Sequence, residues 1–147
     1  MESAAMELAQ ALGRTIPFAS HLGIRLKEKG GGHAVLELDL RPELMNSYEA
    51  AHGGVVMTLL DVAMALAART LDATANGAIT VEMKASFIGT GQGTLIAEGR
   101  CLHLGRQVAF CEGDARNKAG KLVAKASGTF MLRHDRRGPV EAVPRKG

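Results

Sequence analysis

Apolar residues fill almost every position of the run Gly53 to Arg69, GGVVMTLLDVAMALAAR, the strongest pattern in the chain. A near-continuous apolar stretch of that length exceeds a strand and predicts a helix covered on most sides. From residue 79 the pattern changes. Segments over 79–88, 93–102, 107–117 and 122–132 have strand character and are separated by Gly89-Thr90-Gly91, Gly105-Arg106 and Lys118-Ala119-Gly120. Turn residues recurring about every dozen positions mark an antiparallel meander. Upstream, residues 34–40 alternate, placing Ala34, Leu36, Leu38 and Leu40 on one side of a strand that follows a turn at Gly30-Gly31-Gly32. A short helix is expected over 4–12, capped by Ser3 and closed by Gly13, with Pro17 as a break before the segment 18–22. Residues 42–51 read as a loop and 71–77 as a connection.

Helix, strand, long helix and four strands in that order predict an α+β fold: a five-stranded antiparallel sheet wrapped around one long central helix, with a short N-terminal helix. The sheet covers one side of the apolar helix, and a second subunit is the expected cover for part of the other. Pairing open edge strands across a two-fold axis would protect them as well. No helix follows the glycines at 30–32, so a phosphate-binding loop fails its own structural requirement.

Composition narrows the function classes. The 147 residues predict one domain over 1–133, with the N-terminal helix in 1–17 and a tail over 134–147. Aromatic content of 3% without Trp offers little stacking surface for nucleic-acid bases, and the net charge of +3 is modest. The basic residues His134, Arg136, Arg137, Arg145 and Lys146 fall in the tail and read as a solvated terminus. The apolar helix is shorter than the roughly 20 residues of a bilayer span. The start MESAAMELAQALGR carries acids and no continuous apolar core, so neither a signal peptide nor an anchor is expected and the location expected is cytoplasmic. Cys101 and Cys111 flank the turn at Leu104-Gly105-Arg106 and are expected as buried thiols facing each other across a hairpin. They lack the partners of a zinc site or of a Cys-x-x-Cys redox pair, so no metal is expected.

The chemistry concentrates in the apolar helix. Asp61 is the only ionisable residue of the sixteen from Gly53 to Ala68, and burying a lone carboxylate costs several kcal/mol or raises its pKa. Immediately upstream, His52-Gly53-Gly54 forms a glycine-rich helix start whose free N–H groups can hold a carbonyl or an oxyanion. At about 100° per residue Asp61 returns to nearly the face of Gly54, but a seven-residue rise of about 10 Å puts it out of reach of a carbonyl held at its own N-terminus. If the two groups cooperate, one of them comes from another chain. Two such helices packed antiparallel about a two-fold axis would give two equivalent sites at the interface.

The segment Asn46-Ser47-Tyr48-Glu49-Ala50-Ala51-His52-Gly53-Gly54, followed by Leu59-Leu60-Asp61-Val62-Ala63, resembles the signature of the hotdog-fold acyl-CoA thioesterases, in particular their phenylacetate-pathway (PaaI-like) branch. Phe18 to Ile24 and Thr80 to Phe87 are similar to that family too, so the likeness spans 18–132. It implies hydrolysis of an acyl-CoA to free acid and CoA, with an aryl-acetyl or medium-chain acyl group. No metal or redox cofactor is implied, and coenzyme A enters only as part of the substrate. Gly54, together with Gly53, would donate N–H to the thioester carbonyl, with the helix dipole favouring the developing charge. Asp61 of the neighbouring subunit would act as general base on water or as nucleophile through a transient anhydride. Asn46 would orient the carbonyl or the water, His52 would fix the loop and helix start, and Thr80 would contact the water. A homo-oligomer is expected: a dimer with shared active sites, assembled into a homotetramer.

Plainer roles stand beside these. Asp61 suits a structural carboxylate, Asn46 a turn and Thr80 any strand. Met57, Met64 and Met83 suit a core, with Met57 and Met83 doubling as a pliable acyl pocket. Lys84 and Arg106 suit a solvated surface or coenzyme A phosphates. Related menaquinone-pathway enzymes tend to carry Glu where this chain has Asp61, and the His-plus-acid motif of hotdog dehydratases has no counterpart here. A non-catalytic acyl-CoA binding or sensing module is the alternative. Asp61 counts against it, since a passive binder gains little from a desolvated carboxylate.

Overall fold

The structure, a computed structural model, describes residues 2–134. Of the expected tail only His134 falls within them; Arg136, Arg137, Arg145 and Lys146 lie outside the described residues. In chain order the elements are α1 (Glu2–Leu12), α2 (Pro17–Leu22), β1 (Arg25–Gly30), β2 (His33–Asp39), a single 3-10 turn (Pro42–Leu44), α3 (Gly53–Arg69), β3 (Gly77–Phe87), β4 (Thr94–Leu104), β5 (Val108–Asn117) and β6 (Leu122–Arg133). The strands form one antiparallel sheet in the order β1-β2-β4-β5-β6-β3, which wraps α3 in the hotdog architecture that the resemblance implied. No helix among the described residues is long and apolar enough to cross a membrane.

The sheet has six strands where the hydropathy pattern predicts five. The additional strand, β1, reads Arg-Leu-Lys-Glu-Lys-Gly and carries no apolar alternation, because it is an edge whose residues are half-buried or exposed. Its ladder to β2 is supplemented by Arg25 to Asp39 at 2.8 Å and Lys27 to Glu37 at 2.9 Å. A charged edge also resists pairing with foreign strands. At the N-terminus α1 already begins at Glu2, so Ser3 lies within its first turn rather than capping it. Pro17 opens α2 from the first helical position, where its missing N–H is no loss, and Gly23 closes that helix with φ of +77°.

Small residues seat the central helix. Register across the sheet aligns Ala34, Gly99, Gly113, Ala126 and Ala85 in one transverse row, and Leu36, Ala97, Ala115 and Ala124 in the next. At Gly99 the approach is closest: a Cβ there would run into the Ala63 carbonyl oxygen, and one at Gly113 would lie 3.3 Å from Leu60 Cδ2. Ten residues of α3 are buried in this seat and under the flanking elements. Gly54, Met57, Thr58, Asp61 and Ala65 are left half-buried or exposed, a stripe at helical spacing along one side.

Cys101 and Cys111 are directly opposed across β4 and β5, and both are free thiols. Burial, reinforced by the neighbouring Cys101, pushes the Cys111 thiol up to about 12, so it stays protonated.

Gly99→Ala is expected to lower the free energy of unfolding by about 1–3 kcal/mol, because the obstruction is a helix carbonyl and not a side chain that can turn aside. Denaturant unfolding measures it; an unchanged midpoint would mean that α3 is not seated on β4.

Candidate active site

The start of α3 is organised by the residues just before it. Asn46 Oδ1 accepts the backbone N–H groups of Tyr48 at 2.8 Å and Ala50 at 3.2 Å, folding the loop into an Asx turn that carries Glu49 at φ of +58°. The backbone closes the same loop, with Asn46 N–H donating to Ala50 O at 2.8 Å. With its oxygen committed, Asn46 retains its amide NH2 as the group available to a ligand.

A helix start leaves four N–H groups without intrahelical acceptors. Here Val55 and Val56 donate to His52 O at 2.9 and 3.2 Å, and Gly54 donates to His52 Nδ1 at 2.9 Å. His52 is therefore the cap, and accepting at Nδ1 places its own proton on Nε2. The expectation that Gly54 offers a free donor is thus corrected, because its N–H is held by the imidazole. Gly53 N–H has no partner among the described residues, and it is this donor that the helix start leaves open.

Asp61 stands on the uncovered stripe of α3, and its Oδ1 accepts the hydroxyl of Thr80 from edge strand β3 at 2.5 Å. Burial raises the Asp61 pKa above the ordinary carboxylate value, and the Thr80 hydrogen bond opposes part of that rise. The two residues are nineteen apart in sequence and meet only because β3 returns alongside the helix. Eight residues of helical rise, about 12 Å, separate Asp61 from Gly53 of its own chain.

Two cavities flank the helix start. One, of about 370 Å³, is lined by Asn46, Tyr48, Gly53, Phe87 and Gly91, among others. The other, of about 510 Å³, is lined by His52, Gly54 and Thr58 together with apolar groups of α2 and of the 3-10 turn. Asn46 and Gly53 thus share one cavity, whereas Gly54 and His52 face the other. A larger cavity of about 610 Å³ beside Ile24, Arg25 and Arg41 touches none of the expected site residues.

The remaining candidates scatter. Met57 lies on the uncovered stripe, Met64 is fully buried, and Met83 is half-buried against the core. Neither Met57 nor Met83 lines the two cavities beside the helix start. Lys84 pairs with Ser127, and both are exposed on the face of the sheet away from α3; Arg106 is exposed in the turn between β4 and β5. Three residues escaped the pattern. Thr58 donates to Gly54 O at 2.8 Å, and its position one turn after Gly54 was open to helical spacing. Phe87, with Cε1 at 3.4 Å from where a Gly53 Cβ would stand, and Met45 in the larger of the two cavities gave no local signal.

A family model described as the thioesterase superfamily matches residues 48–124. A putative esterase of Archaeoglobus fulgidus is 34% identical over 111 residues, covering 74% of this chain and 70% of that protein. The acyl-coenzyme A thioesterase PaaI of Escherichia coli is 28% identical over 126 residues, covering 84% of this chain and 88% of its own. The solved E. coli PaaI structure superposes with a TM-score of 0.76 at 25% identity, over 89% of this chain and 94% of that one. A Streptococcus mutans protein solved bound to acetyl CoA superposes with a TM-score of 0.69 at 28% identity, over 78% of this chain and 91% of that one.

Because burial disfavours the Asp61 carboxylate, Asp61→Asn is expected to raise the melting temperature at neutral pH. The sign follows from an acid whose folded pKa lies above its unfolded one: the penalty is present once both states are ionised and vanishes once both are protonated. The gain in melting temperature should shrink as pH falls through those values, and a gain that grows on acidification would contradict the assignment.

Proposed function

This thioester hydrolase belongs to the thioesterase superfamily, and we propose that it cleaves an acyl-CoA to free acid and CoA in a site completed by a second subunit. Asp61 carries the reading. A desolvated carboxylate, positioned by a hydroxyl, stands on the uncovered stripe of α3 and is about 12 Å along the helix from the free donor at Gly53. Antiparallel packing of two α3 helices about a two-fold axis brings each Asp61 to the partner's helix start. Edge strand β3 supports that packing, with Ile79 at 45% and Val81 at 57% exposure along an unpaired edge.

In this site the thioester carbonyl accepts from Gly53 N–H and from the Asn46 amide, whose oxygen is already held by the loop. Both donors are fixed before the reaction, so they meet the developing oxyanion without reorganisation, and the positive end of α3 adds to them. With Oδ1 occupied by Thr80, Asp61 Oδ2 takes the proton of the attacking water. Collapse of the tetrahedral intermediate breaks the C–S bond, and the same carboxyl returns the proton to the CoA sulfur. His52 holds Gly54 and keeps the start of α3 in shape. Exposed Lys84 and Arg106 are available to the nucleotide phosphates of CoA. The chain works as a cytoplasmic dimer, assembled into a tetramer, on aryl-acetyl or medium-chain acyl groups.

Thiol release from a panel of acyl-CoAs should fall by about 10²-fold or more in Asp61→Asn, on the scale of removing a positioned base. In the wild type, kcat/KM should decline as pH drops through a pKa above the usual Asp value, since only the ionised carboxylate accepts a proton. Equal rates for the two proteins would remove Asp61 from the chemistry.

A mixing experiment addresses the shared site. Asn46→Asp keeps the loop acceptor but loses the donor, and it is expected to be nearly inactive while remaining folded. Heterodimers of Asp61→Asn with Asn46→Asp contain one intact site of two and should recover about half of wild-type activity. Verified heterodimers that stay inactive would place the whole site in one chain.

A further inference from the structure

We propose that Cys101 and Cys111 are an oxidation site, where a hydroperoxide converts the two thiols into a cross-strand disulfide that clasps β4 to β5 beside the C-terminal end of α3. The pair takes no part in the proposed hydrolytic site. No Cys-x-x-Cys motif marks it; the register of the sheet does.

Opposed residues of an antiparallel pair come in two kinds. Where they exchange both backbone hydrogen bonds their Cα atoms stand about 5.5 Å apart, and where they exchange none about 4.5 Å, with the side chains closer. Cys101 N–H donates to Gly32 O at 2.8 Å, so its backbone groups point to the β2 side and away from Cys111. The two cysteines are therefore a non-hydrogen-bonded pair, at a spacing inside the Cα range that a disulfide spans. Both side chains lie on the face of the sheet toward α3, two residues along their strands from Gly99 and Gly113, which are opposed in turn and seat the helix. The thiols already touch, with Cys101 a hydrogen-bond neighbour of Cys111. Gly32 N–H donates to Thr70 Oγ1 at 2.8 Å, which places the pair at the C-terminal end of α3, away from His52 and the helix start.

Exposure divides the work between them. Cys101 is half-buried and open to a small oxidant, whereas Cys111 is 2% exposed and has Cys101 as its opposed thiol. Oxidation begins when the Cys101 sulfur attacks one oxygen of hydrogen peroxide. The O–O bond breaks, the other oxygen leaves as water with the Cys101 proton, and Cys101 becomes a sulfenic acid. The Cys111 sulfur then attacks the Cys101 sulfur, the S–O bond breaks, and the hydroxyl leaves as a second water with the Cys111 proton. The two thiols lose two electrons and the peroxide gains them. Burial, and after it the charge of Cys101, opposes ionisation of Cys111; the charge is gone once Cys101 has reacted. The bridge also shields Cys101 from further oxidation to a sulfinic acid. In a reducing compartment the pair rests as the dithiol, and it closes when peroxide rises.

The test treats the reduced full chain with hydrogen peroxide under native conditions, blocks the remaining thiols with iodoacetamide in denaturant, and maps the unreduced tryptic digest by mass spectrometry. Arg106 lies between the cysteines, so trypsin parts them unless a disulfide joins them. The expected product is the Cys101 and Cys111 peptides joined, two hydrogens lighter than their sum, and separated by dithiothreitol. Cys111→Ala removes the resolving thiol and should leave Cys101 as a sulfenic acid that dimedone traps. Cys101→Ser should leave Cys111 unoxidised, since the buried thiol meets no oxidant by itself. The bridged wild type should melt about 4 °C or more above the same sample reduced by dithiothreitol, which leaves methionine sulfoxide in place. Wild-type thiols that both stay alkylatable, a Cys101 that gains oxygen while Cys111 remains a thiol, or bridges that join two chains would each overturn the site. A bridged form that melts no higher than the reduced one would overturn the clasp. The wild-type map decides the pair even where a variant fails to fold.

Discussion

Helix α3 meets the sheet backbone to backbone. At Gly99 the Ala63 carbonyl occupies the space where any side chain would begin, and the row Ala34, Gly99, Gly113, Ala126 and Ala85 keeps the floor low across five strands. A close-packed contact of this kind has no room for an added side chain unless the backbone shifts. The position of α3 along and about its axis is accordingly fixed by the floor. The proposed site hangs from that placement, since its carbonyl donor is at the helix start and its acid on the uncovered stripe.

The same helix shows how donors are allocated. Of its first N–H groups, His52 takes up Gly54 through Nδ1, and takes up Val55 and Val56 through its carbonyl. One residue thereby satisfies three groups, and Gly53 N–H is left without a partner among the described residues. Asn46 divides its labour in the same way, with its oxygen on the loop and its amide without a partner among the described residues. A donor held in advance costs nothing to orient at the moment of reaction. Asp61 carries the opposite balance: the fold desolvates it and offers one hydroxyl in return, so it is a worse carboxylate for stability and a better base.

Much of this was legible along the chain because it is local or periodic. The apolar run of α3, the alternation of Ala34, Leu36 and Leu38, and the glycine turns between strands each report a neighbourhood of a few residues. Asp61 stood out for the same reason, as a charge in a stretch without others. Strand β1 was hidden because an edge has no buried face to write into its hydropathy, and its charged residues pair across to Glu37 and Asp39 instead. The capture of Gly54 by His52 was hidden because an imidazole that caps and an imidazole that catalyses have the same sequence; only the 2.9 Å contact separates them.

By itself, then, the sequence determined the central helix, five of the six strands, the turns between them, the lone acid and the glycine-rich start, and helical rise alone ruled that acid too distant to serve its own helix start. The tertiary structure decided what lies beside what. Thr80 reaches Asp61 because β3 crosses to the far edge of the sheet and returns along the helix. Phe87 reaches Gly53, and Phe18 and Met45 share a cavity with Gly54, through the same long-range closure. Periodicity encodes which way a residue faces relative to its own element, whereas the contacts that make a site join elements far apart in sequence. Which ones meet is set by how the whole sheet curls around the helix.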